Sequence, residues 1–108
     1  MSISDADIAF ALELFDGLGP LTSRKMMGGL SVYCDGTIFA ILNSDGSIWL
    51  KGAGAFADRI AAEGWQRWTY QREGRKLTAM PYWRLPDAAL DDPAVACDLA
   101  REALTHLD

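Results

Sequence analysis

Residues 24–50 read RKMMGGLSVYCDGTIFAILNSDGSIWL and contain two turn signals between apolar runs. Asp35-Gly36 lies between LSVYC and TIFAIL, and Asp45-Gly46 lies between that second run and SIWL. Asp-Gly supplies the positive φ angles that tight hairpins need. The stretch therefore predicts a three-stranded antiparallel meander, and the rest of the chain is expected to cover it.

A two-residue turn at Asp35-Gly36 would set the register of the first hairpin, with Cys34 opposite Thr37 and Ser31 opposite Ala40. Successive side chains of a strand point to opposite faces, so the register also sorts residues by face. One face is the predicted core. Its members are all apolar or weakly polar: Leu30, Val32, Cys34, Phe39, Ile41, Ile48 and Leu50.

The other face of the predicted meander has small residues at its centre, Gly29, Ser31 and Ala40. Larger apolar side chains surround them: Tyr33, Ile38, Leu42 and Trp49. A surface this apolar is not expected to be open to water. We therefore predict that another element of the chain, a second copy of the protein or a partner covers it.

The segments on either side of the meander have helical and strand-like patterns. Helices are predicted over residues 5–16 and 55–63, and a third begins at Asp92-Pro93. Residues 65–86, WQRWTYQREGRKLTAMPYWRLP, predict a second hairpin that turns near Glu73-Gly74. A two-residue turn there would put Tyr70 opposite Leu77, on the core side with Trp68 and Ala79. The prediction is an α+β fold in which an antiparallel meander and a hairpin pack with N-terminal, middle and C-terminal helices.

Length and composition restrict the class of protein. The chain has 108 residues, a single-domain length, and a formal net charge of −5. It contains no apolar run near membrane-spanning length and no basic-then-apolar leader, so we expect a cytoplasmic protein that does not enter membranes. The negative charge argues against tight duplex DNA binding by this domain alone.

Catalytic and metal-binding patterns are not found in the sequence. The single histidine is His106, near the C-terminus, which leaves no partner for a Ser-His or Cys-His pair and no histidine cluster for a metal. The two cysteines, Cys34 and Cys97, are interpreted as reduced, partly buried thiols. No catalytic residue, cofactor or metal is predicted.

Two local features allow a functional or a structural interpretation. Gly28-Gly29 could bring backbone N–H groups close to a phosphate, but the Lys-Ser or Lys-Thr of a phosphate loop does not follow, which favours a bend with close packing. Basic residues also occur near Trp65, Tyr82 and Trp83, and they form either a solvated hairpin tip or a site for single-stranded nucleic acid or an acidic partner. The basic residues are Arg24, Lys25, Arg67, Arg72, Arg75 and Lys76.

Three motifs occur in order along the chain: Arg-x-Met-x-Gly-Gly, Tyr-x-x-Gly-x-x-Phe-Ala and Tyr-Trp-x-x-Pro. They resemble motifs of the TfoX/Sxy N-terminal domain family. The matching residues are Arg24, Met26, Gly28, Gly29, Tyr33, Gly36, Phe39, Ala40, Tyr82, Trp83 and Pro86. The sequence departs from the family pattern at Met27, where an aromatic residue is usual, at Ser31 and at Pro81.

The resemblance implies a bacterial, cytoplasmic, non-enzymatic domain connected with natural competence through a transcription activator. We expect a stand-alone domain over residues 1–108 that binds a protein partner, with a homodimer as an alternative. The expected interaction surface consists of Arg24, Gly28, Gly29, Tyr33, Ala40, Trp49, Trp65, Tyr82 and Trp83. The alternative function is a small-molecule-binding domain or minor enzyme with a pocket near Gly28, Gly29, Trp65 and Trp83.

Overall fold

A computed structural model of the protein describes residues 3–26, 28–70 and 74–107. Its helices are α1 (Asp5–Leu14), α2 (Gly54–Ala62), α3 (Asp87–Leu90) and α4 (Pro93–Leu104), and a 3₁₀ turn covers Asp16–Leu18. Its strands are β1 (Leu21–Met26), β2 (Gly29–Cys34), β3 (Thr37–Leu42), β4 (Ile48–Lys51), β5 (Arg67–Tyr70) and β6 (Thr78–Arg84). The strands form one antiparallel sheet in the order β1-β2-β3-β4-β6-β5, which confirms the α+β class.

Both predicted Asp-Gly turns are present. Asp35 and Gly36 have φ angles of 50° and 79°, as a type I′ hairpin turn requires, and Cys34 pairs with Thr37. In the second turn the Asp45 carboxylate accepts hydrogen bonds from the Ser47 N–H (2.9 Å) and the Ser47 hydroxyl (2.6 Å). The local chemistry of these residues therefore accounts for both reversals of the chain.

The sheet continues beyond the predicted three-stranded meander with one additional edge strand, β1. Strand β1 pairs with β2 from Leu21 opposite Cys34 to Met26 opposite Gly29. Its residues 22–26 are exposed on both faces, so β1 has no alternating apolar pattern from which a strand could be predicted. Met27 is outside the described residues.

A β-bulge at Phe39 changes the predicted register of the first hairpin. Tyr33 pairs with Ile38, but Val32 pairs with Ala40, so Phe39 is the extra residue of β3. The predicted pairing of Ser31 with Ala40 is wrong, because Ser31 lies opposite Ile41. A slip of one residue moves side chains to the other face of the sheet.

The bulge places Ala40 and Leu42 in the core and Ile41 on the opposite face. Ala40 is 0 % exposed and belongs to the hydrophobic core, which corrects its predicted place on the outer face and in the interaction surface. Phe39 remains in the core, where its ring meets that of Phe15 edge to face at 5.2 Å. The core therefore contains Ala40 and Leu42 of β3 in place of the predicted Ile41.

The helices cover the core face of the sheet. Helix α1 begins where Ser4 Oγ accepts the Asp7 N–H (3.1 Å), and α4 begins where the Asp92 carboxylate accepts the Ala94 and Val95 N–H groups. Helix α4 contacts β3 and β4. Its buried residues are small: Ala96, Cys97, Ala100 and Ala103. Small side chains allow the axis of α4 to lie close to the sheet.

The second hairpin also differs from its predicted register. Tyr70 pairs with Thr78 and not with Leu77, and the pairing is irregular between Arg67 and Thr69. Tyr70 and Leu77 are exposed, so their predicted place on the core side is wrong. The predicted turn at Glu73-Gly74 falls partly on residues 71–73, which are outside the described residues.

The burial of Ala40 in the core predicts that a charged side chain at this position destabilises the fold. Ala40→Arg buries a guanidinium without a partner in the core and should lower the free energy of unfolding by about 3 kcal/mol or more. Urea denaturation followed by circular dichroism measures the change. Ala61→Arg, at an exposed position of α2, is the matched control and should change stability by about 0.5 kcal/mol or less. Equal stability of the two variants would contradict the bulged register.

Candidate functional site

The sheet curls so that its two edge strands approach each other. In a flat sheet β1 and β5 would be five spacings of about 4.8 Å apart, about 24 Å in total. Nevertheless Met26 of β1 and Trp68 of β5 line the same pocket of about 230 Å³. The face opposite the helices is therefore concave. This concave face is defined by Met26, Ser31, Tyr33, Ile41, Trp49, Trp68 and Tyr82.

Aromatic rings from three strands meet on the concave face. The ring of Trp68 lies 5.8 Å from that of Trp49 and 6.0 Å from that of Tyr82, both in tilted arrangements. Ile41 and Trp49 are only 4 % and 6 % exposed. The β5–β6 hairpin of the same chain thus covers part of this apolar face, while Tyr33, Trp68 and Tyr82 remain half-buried at its surface.

Hydrogen bonds hold the polar groups of the concave face in place. The Trp49 indole N–H donates to Ser47 Oγ at 2.9 Å. The Ser31 hydroxyl donates to the Arg24 carbonyl oxygen (3.1 Å) and lies 3.3 Å from the Tyr33 hydroxyl. Ser31 is 1 % exposed, so these contacts satisfy a buried polar group in an apolar setting.

Two ionisable groups near this face have altered pKa values. Hydrogen bonds from the Ser47 hydroxyl and N–H lower the pKa of Asp45, which keeps this carboxylate ionised and directed into its own turn. Burial raises the pKa of the Tyr82 phenol, and the nearby Tyr33 contributes in the same direction. Tyr82 is therefore a neutral hydroxyl, available as a hydrogen-bond donor, over the physiological range of pH.

Charges are separated between the sheet and the helices. The strands that the structure describes contain five basic residues and no acidic one: Arg24, Lys25, Lys51, Arg67 and Arg84. The basic residues of the helices instead form ion pairs: Arg59 with Glu63 and Glu102, and Arg101 with Asp98. Register puts Arg24, opposite Ser31, Lys51, opposite Tyr82, and Arg84, opposite Trp49, on the concave face. The concave face is locally basic although the chain is acidic.

The family model of the TfoX N-terminal domain matches residues 13–107, nearly the whole chain. The chain belongs to the TfoX N-terminal domain family. At the level of the family it is a competence-related regulatory domain, and the family is not known for enzymatic activity. No curated protein matches the sequence.

The structure brings together some of the residues predicted for the interaction surface of this TfoX N-terminal domain. Arg24, Gly29, Tyr33, Trp49 and Tyr82 lie on or beside the concave face. Trp68, Ile41 and Met26 belong to it as well but were not predicted, because the unbulged register assigned Trp68 and Ile41 to the core side. The signal that could have identified Trp68 is the spacing of Trp68 and Tyr70. These two aromatic residues are two positions apart and therefore lie on one face of β5.

Other predicted site residues lie elsewhere. Trp83 is in the core, and the Arg67 guanidinium lies 4.5 Å from the centre of its ring. Trp65 packs edge to face on Phe56 at 6.3 Å and lines a separate open cavity of about 540 Å³, with Glu63 and Arg84. Gly29 lines the 230 Å³ pocket, so Gly29 and Trp65 line different cavities, and Trp83 lines neither of them.

The glycine pair has a packing role. Gly28 has a φ of 85°, and its carbonyl oxygen accepts the Ile3 N–H at 2.7 Å. A Cβ atom on Gly29 would lie 2.1 Å from the carbonyl oxygen of Leu42, well inside van der Waals contact. The segment continues into strand β2 and not into a helix, so the geometry agrees with the close-packing interpretation and not with a phosphate loop.

Cys34 and Cys97 are free thiols, and the buried Cys97 Sγ donates to the Leu14 carbonyl oxygen at 3.4 Å. Within residues 3–26, 28–70 and 74–107, no three His, Cys, Asp or Glu side chains are grouped as metal ligands. Over the same residues, no helix is long and apolar enough to cross a membrane.

The close approach of Gly29 to the Leu42 carbonyl oxygen predicts that a single methyl group added at Gly29 strongly destabilises the fold. Gly29→Ala forces β2 away from the end of β3 and should reduce the free energy of unfolding by about 2 kcal/mol or more. In Gly17→Ala, the new Cβ meets only side-chain atoms, the Cys97 thiol at 3.2 Å and the Arg101 guanidinium at 3.9 Å, and side chains can shift more easily than backbone. Urea denaturation should therefore find the Gly29 variant the less stable of the two. A Gly29 variant as stable as the wild type would contradict the close approach.

The raised pKa of Tyr82 predicts how stability changes in alkali. The folded state keeps the Tyr82 proton to higher pH than the unfolded chain, so unfolding releases a proton and stability falls as pH rises above about 10. Tyr82→Phe removes this contribution. Between pH of about 9 and 11 its stability, measured by urea denaturation, should fall less steeply than that of the wild type. Parallel slopes would contradict the burial of the phenol.

Proposed function

We propose that this TfoX N-terminal domain is a non-enzymatic, cytoplasmic regulatory module that acts by binding a partner protein through its concave face. The observation that carries the proposal is the aromatic cluster of Trp49, Trp68 and Tyr82, beside an open apolar pocket. The family connection with competence supports a bacterial transcription activator as the partner.

The composition of the concave face is typical of protein interfaces. Tyr, Trp, Met and Arg are enriched where proteins bind each other, and the rings of Tyr and Trp bury much area with few rotatable bonds. Met26 is 44 % exposed at one end of the face, and Tyr33, Trp68 and Tyr82 are half-buried. Binding a partner would remove this apolar surface from water, which is the main favourable contribution to most protein association.

A small-molecule ligand is the second candidate, and the pocket beside Gly29 is the feature that favours it. Its volume of about 230 Å³ is below the range of about 300–1,000 Å³ of ligand pockets. One side chain of a partner fits a cavity of this size better than a cofactor does. The size of the pocket therefore supports the proposal of a protein interface.

Two matched variants test the proposal in the organism from which the protein comes. Met26→Asp puts a charge at the rim of the pocket, whereas Phe10→Asp puts the same charge on an exposed apolar residue of α1. Both positions are exposed to a similar extent, 44 % and 48 %, so neither variant should lose its fold. We expect tagged wild type and Phe10→Asp to capture the same partner from cells, and Met26→Asp to lose it together with expression of competence genes. Identical captured proteins and expression for all three chains would refute the proposal.

A further inference from the structure

The chemistry of the concave face also identifies the kind of partner segment, an inference that rests on the proposed function. We propose that the concave face binds an acidic segment of the partner protein. One large apolar side chain of that segment enters the Met26–Trp68 pocket, and its carboxylates pair with Arg24 and Lys51. The proposal is based on the lining of the pocket, the charges around it and the packing of the aromatic rings.

The lining of the pocket selects an apolar anchor. Met26, Ile41 and Trp68 line about 230 Å³ of space, and no charged residue is among the lining residues. Gly29 has no side chain to fill the pocket, and only Asn43 and Ser44 contribute polar groups. A charged or strongly polar anchor would lose its hydration here without enough partners, so a side chain such as Leu, Phe or Trp is favoured.

The charges on the concave face select acidic residues in the same segment as that anchor. Arg24 is two residues before Met26 on β1 and therefore on the same face, and Lys51 lies on that face across the sheet. Among the described residues, the charged group of neither Arg24 nor Lys51 takes part in an ion pair or a hydrogen bond. The carboxylate nearest the pocket in sequence, Asp45, is bound to Ser47 in its own turn. The carboxylates of the partner would supply the missing counter-charges.

The ring packing favours a polypeptide over single-stranded nucleic acid. Bases stack on aromatic rings whose flat faces are open. Here Trp68 contacts Trp49 on one side and Tyr82 on another, with interplanar angles of 45° and 57°. Arg67 is engaged as well, because its guanidinium covers Trp83 and its Nε donates to the Met80 carbonyl oxygen at 2.9 Å. The face presents an apolar pocket and several cations, and not a stacking platform.

Selection of random peptides tests this chemistry directly. A displayed library of peptides of about 12 residues is selected on the full-length wild-type chain, with Arg24→Glu used for counter-selection. The selected peptides are then synthesised with a fluorescent label and titrated by anisotropy at low and high salt. An oligothymidylate of about 12 nucleotides is titrated in parallel as the nucleic-acid probe.

Two charge variants on the same strand provide the matched comparison. Arg24→Glu and Lys25→Glu change the net charge equally at neighbouring exposed positions, but Arg24 is on the concave face and Lys25, opposite Leu30, is on the other. We expect the selected peptides to contain several Asp or Glu and one large apolar residue. Their affinity should fall at least about tenfold in Arg24→Glu, and within about twofold of wild type in Lys25→Glu. Replacing the apolar residue of the peptide by Ser should also cost about tenfold.

Several results would overturn the inference. Neutral or basic selected peptides, equal binding by both charge variants, or no effect of the apolar residue would each exclude an acidic segment with an apolar anchor. Tighter binding of the oligothymidylate than of any peptide, lost in Arg24→Glu, would assign the face to nucleic acid. Self-association that Arg24→Glu abolishes would assign it to a second copy. Loss of the captured partner in Met26→Asp, combined with neutral or basic selected peptides, would leave the proposed function intact while removing this account of its chemistry.

Discussion

The β-bulge at Phe39 is the constraint on which the two faces of this sheet depend. With Phe39 as the extra residue, Val32 lies opposite Ala40, and the side chains of β3 beyond the bulge change faces. Ala40 and Leu42 then complete the core beneath the helices, while Ile41 joins Ser31 and Trp49 on the concave face. Because alternation in a strand has a period of two, no intermediate arrangement is available.

Bulges also help to explain the curvature of the sheet. An extra residue bends a strand and increases its local twist, and a second irregularity occurs in the pairing of β5 with β6, between Arg67 and Thr69. The bent hairpin carries Trp68 over Trp49 and towards Met26 at the other edge of the sheet. The same apolar face is therefore partly covered by its own chain and partly left open as a pocket, which is why it is a candidate interface and not a second core.

The concave face is locally basic although the chain has a formal net charge of −5, because acidic and basic residues lie in different parts of the structure. In the part of the chain that the structure describes, acidic residues lie in helices, turns and loops, where several complement helix N-termini. The described strands contain no acidic residue that could neutralise their basic residues within the sheet. A local field of this kind acts over roughly a Debye length, about 8 Å at physiological ionic strength, so a segment on the concave face would respond to the cations and not to the overall charge.

The sequence by itself determined the features that depend on local chemistry. The φ angles of Asp35-Gly36, the side-chain acceptor of Asp45, and the caps at Ser4 and Asp92 are properties of a few consecutive residues, so the turns and the helix starts were predictable. The family motifs and the α+β class followed from the order of such signals. Only the tertiary structure decided the register beyond the bulge, the strand β1 and the meeting of Met26 with Trp68. These depend on packing between residues distant in sequence, where a shift of one position exchanges core for surface and local preferences are nearly equal for both choices.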